Sequence, residues 1–125
     1  MRWTPLTAIL LTASVSPALA QGPLDGRWAW APDICANEPG SGDLVPSVFA
    51  GNEIDHYESR CTITDMTPIG TAGAAWDVTM DCTGEGEEWS RNATFAIDRT
   101  EAGEPRLLIE IDRDEGYVVV RHYCD

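Results

Sequence analysis

The chain contains no lysine. Its eight basic residues are all arginine, and they face 21 aspartates and glutamates, for a formal charge of −13. A field of that sign repels polyanions, which excludes nucleic acid and anionic membrane surfaces as partners and leaves a basic protein as a compatible one. Beyond the first twenty residues no stretch approaches the roughly 20 consecutive apolar residues of a membrane helix, so no membrane insertion is expected. C-x-x-C pairs are absent, which removes the common zinc and redox signatures. So are a G-x-S-x-G elbow, a glycine-rich phosphate loop and a free thiol near a histidine. The sequence therefore offers no catalytic residue, is not expected to be an enzyme, and implies no cofactor.

Histidine is scarce as well. His56 and His122 are the only two, without H-x-x-x-H spacing, and no metal site is expected. Asp112, Asp114 and Gly116 resemble part of a calcium loop, but the further oxygens and the distal bidentate glutamate are missing, so they read as a hairpin turn. Glu85, Glu87 and Glu88 form a second acidic turn, expected to be solvated.

What the chain does carry begins with a targeting segment. Arg2, the apolar run Leu6 to Val15 and the small-residue site Ala18-Leu19-Ala20 read as a secretory signal peptide over residues 1–20. Cleavage after Ala20 would release residues 21–125 as a single soluble domain, periplasmic or secreted. All four cysteines, Cys35, Cys61, Cys82 and Cys124, lie in that domain. An even count in an exported chain reads as two disulfides, and four cysteines allow three connectivities. The preferred one is Cys61–Cys82 with Cys35–Cys124.

The first of those pairings follows from strand periodicity. Trp76, Val78, Met80 and Cys82 alternate with Asp77, Thr79 and Asp81, the mark of a strand with one buried side. Upstream, Tyr57, Ser59, Cys61 and Ile63 share a face of a strand read as running from Glu53 to Ile63. Antiparallel pairing of the two sets Cys61 opposite Cys82, with Cβ atoms roughly 4.5–5.5 Å apart, close to bridging distance.

Further strands are read at Gly26–Trp30, with both tryptophans on one side, and at Pro46–Ala50 before a Gly51-Asn52 turn. Three more follow, at Glu88–Ile97, at Arg106–Asp112 with Leu107, Ile109 and Ile111 on one face, and at Tyr117–Cys124. Ala31 to Val45 has the proline and glycine content of a loop. About seven short strands joined as hairpins predict an all-β, antiparallel up-and-down β-barrel or strongly curved meander, stapled by disulfides.

Gly26-Arg27-Trp28 at the start of the first strand resembles the Gly-x-Trp opening of lipocalins. Avidin-like barrels and bacterial periplasmic inhibitors of secreted metalloproteases open in a similar way. The resemblance implies a barrel whose opening tryptophan packs across the floor; the later T-D-Y segment of lipocalins is absent. The wider layout, with G-x-W, Cys35, the E-S-x-C of Glu58 to Cys61, Cys82 and a near-terminal Cys124, is similar to small exported alphaproteobacterial proteins of unassigned function.

Arg91 is the most informative charge. It shares the inward face with Trp89, Phe95 and Ile97, and a buried arginine needs a partner. Glu58 could supply a bidentate carboxylate. Alternatively, Arg91 and Trp28, Trp89 and Glu58 line a pocket for a small anionic ligand. The function expected is a non-catalytic exported binding protein. The alternative is an inhibitor or interaction protein acting on a basic secreted or periplasmic enzyme, such as a lysozyme or protease.

Overall fold

A computed structural model describes residues 22–42 and 44–125; the segment read as a signal peptide lies outside them. Eight strands, each hydrogen-bonded to the next, close into one antiparallel barrel. They are β1 (Gly26–Ala29), β2 (Ser47–Ala50), β3 (Glu53–His56), β4 (Ser59–Pro68), β5 (Ala75–Gly84), β6 (Glu87–Arg99), β7 (Pro105–Asp112) and β8 (Val118–Cys124). β1 pairs with β2 on one side and with β8 on the other, which removes every sheet edge. The expected meander is present, with one strand more than the sequence resolved. Residues 53–63, read as continuous, turn over at Tyr57 and Glu58 into β3 and β4. No glycine marks that turn; Glu58 itself takes the left-handed conformation, at φ 57°.

Cys61 stands opposite Cys82, and the register holds to Ile63–Met80 before a bulge between Ile63 and Asp65 shifts it by one. Such a bulge bends a strand and tightens its twist, which helps a sheet curl into a barrel. Both expected disulfides form, Cys61–Cys82 inside the wall and Cys35–Cys124 across 89 residues of sequence. Disulfides of this kind belong to a non-reducing, extracytoplasmic environment.

The second bridge lies outside the barrel. A short 3-10 turn, Pro32–Ala36, folds back over the β1–β8 seam. There Ile34 and Cys35 pack with Ala29 and Cys124 in a small cluster of their own. Trp28 points inward and is 1 % exposed, whereas Trp30 lies beyond the end of β1, at the mouth of the barrel, and is 62 % exposed.

The interior is divided lengthwise. Toward the end where β1 begins, Leu24, Trp28, Trp76, Phe95, Ile97 and Leu108 belong to one apolar core. The Trp28 indole donates to the Leu24 carbonyl at 2.9 Å, and its ring meets Tyr123 edge-on at 5.1 Å. The lead-in is held by Asp25, whose carboxylate accepts from the Gly51 amide at 2.8 Å. The opposite end, where β1 ends and β2 begins, is lined by charged and polar groups. In β7 the parity is the reverse of a hydropathy reading: Leu108, Glu110 and Asp112 face in, and Ile111 faces solvent.

Candidate functional site

At the polar end a cavity of about 360 Å³ opens to solvent. Ser47 from β2 and His56 from β3 lie on its wall, with Arg91, Glu110 and Arg121 from β6, β7 and β8. Its rim is aromatic and aliphatic: Trp30, Val45, Tyr57 and Tyr117. Alternation explains how they meet. Each wall residue is the inward side chain of its strand near this end, one or two inward positions from a turn.

The charges form a chain. The Arg91 guanidinium donates to Glu110 Oε2 and Asp112 Oδ2, each at 3.0 Å, and to the Tyr117 hydroxyl at 3.2 Å. Asp112 Oδ1 accepts from the Asp114 and Glu115 amides at 2.9 and 2.8 Å, so one carboxylate caps the β7–β8 turn and holds Arg91. Burial opposes its charge, yet those amides and Arg91 outweigh it and keep the carboxyl below its ordinary range. Burial likewise works against the Arg91 cation, but Glu110 and Asp112 raise its pKa above normal.

Arg121 is held differently. It is 6 % exposed, reaches Glu110 Oε1 only at 3.5 Å, and its buried Nε has no hydrogen-bond partner. Burial lowers its pKa, with Glu110 opposing the shift. An arginine carries five N–H donors in a fixed fork, and a buried donor left unpaired costs about 1–3 kcal/mol. Arg121 thus lines the cavity with a single long contact to a carboxylate, while its unpaired Nε lies beneath the surface.

His56 Nδ1 and Ser47 Oγ lie 2.7 Å apart. The imidazole is pushed down to about 4, first by burial and then by the Arg121 charge, with Arg91 adding to it and Glu110 and Asp55 opposing. A serine beside a histidine is the minimal arrangement for nucleophilic catalysis. Here two guanidiniums oppose the imidazolium that a general base must become, and a basicity so far below neutrality makes a weak base.

Of the residues expected to gather around Arg91, one does so. Trp89, 39 % exposed, borders a second cavity, of about 380 Å³, that Arg91 and Asp112 also line. Trp28 lies in the apolar core and not in the cavity wall. Glu58 sits exposed in the β3–β4 turn, and the partners of Arg91 are instead Glu110 and Asp112. A glutamate at a hairpin tip projects into water, whereas the inward positions of β7 are directly within reach of β6. Sequence reasoning missed Glu110, Arg121 and Ser47, and set His56 aside as an ordinary strand residue. The available signal was the pair of acids at Glu110 and Asp112, two residues apart and so on one face of a strand. His122 lies on the outer face, opposite Ala29 and Leu107.

Comparison with protein-family models, curated proteins and solved structures finds no match. The chemistry of the site must be read from its own residues.

Proposed function

We propose that this chain is a non-catalytic binding protein, exported to the periplasm or secreted after removal of residues 1–20, whose ligand occupies the polar end of the barrel. The observation that carries this reading is the buried Arg121, in the wall of an open cavity and held to Glu110 by only one contact, at 3.5 Å. Pockets for small ligands combine apolar walls with a few placed polar groups, and a volume of about 360 Å³ fits a compact molecule. The two disulfides support an extracytoplasmic location. The Gly26-Arg27-Trp28 opening and the barrel architecture are in keeping with small-ligand binding proteins, although fold alone does not carry function.

The test is a thermal-shift and native mass spectrometry screen of the mature protein against a small-molecule library. It is repeated on V45W, which fills the mouth without touching the charged chain. Ligands that raise the midpoint of the wild type but not of V45W support the reading. If nothing binds, or if both proteins respond alike, the cavity is not a binding site. A hydrolase built on Ser47 and His56 is the competing reading, and ester turnover lost in S47A would favour it. An inhibitor of a basic enzyme draws on the net charge alone.

A further inference from the structure

The interior charges of the polar end cancel. Arg91 and Arg121 stand against Glu110 and Asp112, and Arg91 already shares both carboxylates. Arg121 is the member left short, with one contact at 3.5 Å and a buried Nε without a partner. Any group that pairs with Arg121 from the cavity must be an acceptor, because a guanidinium offers only donors. A ligand carboxylate matches a guanidinium fork in plane and spacing, and the charge-assisted bond it makes is roughly twice as strong as a neutral one. A bare anion would, however, leave this end with a net negative charge inside a protein that already carries −13. Such a ligand needs a proton to come with it.

His56 is placed to take that proton. It lies in the same cavity wall, fixed through Ser47 on β2. The charges acting on it are Arg121 on β8, Arg91 on β6, Glu110 on β7 and Asp55 beside it on β3. Empty, the cavity keeps the ring neutral, because burial and the two guanidiniums outweigh the carboxylates. A carboxylate seated on Arg121 reverses that balance by offsetting the positive charge that weighs most on the ring and adding an anion. Taking the cavity to be a ligand site as proposed above, we infer that the polar end of the barrel binds a small monocarboxylate together with one proton, the carboxylate on Arg121 and the proton on His56. The aromatic and aliphatic rim of Trp30, Val45 and Tyr117 then receives the ligand's apolar body.

The experiment is isothermal titration calorimetry of the mature protein with benzoate, and with benzamide and glucose as neutral probes, between pH 5 and 8. At pH 6 it is run in two buffers of different ionisation enthalpy. Benzoate should bind at least tenfold more tightly than benzamide. Its affinity should rise as pH falls, by up to tenfold per unit, with close to one proton taken up per ligand. R121Q should lose at least tenfold in benzoate affinity, and H56Q should lose the proton uptake. If R121Q does not fold, the paired change R121M with E110Q removes both charges together and serves the same purpose. Equal binding of benzoate and benzamide, or binding of glucose alone, overturns the carboxylate assignment while leaving a binding site in place. Benzoate bound without proton uptake overturns the role of His56. Absence of binding by all three probes, together with a library screen in which no ligand discriminates wild type from V45W, removes the binding reading itself.

Discussion

Two arginines enter the same end of the barrel and serve different ends. Arg91 holds two buried carboxylates at 3.0 Å, so its removal leaves Glu110 with only the 3.5 Å contact to Arg121 and Asp112 with only the turn amides. Breaking a buried ion pair from one side costs about 3–5 kcal/mol, because an uncompensated charge remains. R91M is expected to lose stability in that range by urea denaturation, and restoring neutrality with E110Q in the same chain should recover part of it. His56 gives a second prediction at this scale. Its folded pKa of about 4 lies below the ordinary 6.5, so between those values the unfolded chain binds a proton that the folded chain does not. Stability from this group is therefore full above pH 6.5 and declines as pH falls toward 4. At 1.36 kcal/mol per pH unit the loss approaches about 3 kcal/mol. H56Q, whose amide can keep a hydrogen bond to Ser47, should be flatter than the wild type across that window when unfolding midpoints are compared. Ligand affinity runs the other way, tightening as pH falls, which separates the two roles of the ring.

At the scale of elements, the β3–β4 hairpin carries the clearest local conflict. Glu58 occupies a left-handed conformation at φ 57°, which costs a residue with a Cβ roughly 1–2 kcal/mol. Glycine at that position pays part of the gain back in unfolded-state entropy, about 0.5–1 kcal/mol. E58G is therefore expected to raise stability by about 0.5–1 kcal/mol in chemical denaturation, with ligand binding unchanged, since Glu58 does not line the cavity. The same turn shows why the chain was only partly legible. Turns announced by glycine, such as Gly51-Asn52 and Glu85-Gly86, stand out in the sequence, and the one made by Tyr57-Glu58 does not. Parity in β5 and β6 was readable because apolar and polar residues alternate there. In β7 it was not: Leu107, Ile109 and Ile111 share a face as expected, but that face is the outer one, and the acids turn inward to meet Arg91 and Arg121. Hydropathy assigns the inside of a barrel correctly only where the inside is apolar. The candidate site lies where that condition fails, so Arg91 was visible from its apolar neighbours on β6 while Glu110 and Arg121 were not.

The whole molecule depends on closure. β1 is only four residues long, yet it joins the first hairpin to the last strand, and without it β2 and β8 would both be sheet edges. The Cys35–Cys124 bridge sits over this seam, pinning the 3-10 turn that covers Ala29 and the end of β8. Arg27 adds a hydrogen bond from its guanidinium to the Cys35 carbonyl at 2.8 Å. The bridge spans 89 residues of sequence and Cys61–Cys82 spans 21. By loop-closure entropy the longer bridge contributes about 4–5 kcal/mol and the shorter about 3. The C35A/C124A pair is thus expected to be the more destabilising double substitution in urea, and its effect should also be localised. Amide exchange should rise in β1 and β8 beyond the general increase, because the seam has few other ties, while the long β4–β5–β6 ladders keep their relative protection. In C61A/C82A the pattern should be uniform, since those strands stay paired on both sides of the missing bridge. The cavity wall draws Ser47 from beside the seam and Arg121 from β8 itself, so an open seam would separate the two sides of the site. Loss of benzoate binding in C35A/C124A, with binding retained in C61A/C82A at equal folded fraction, would tie function to closure of the barrel rather than to stability in general.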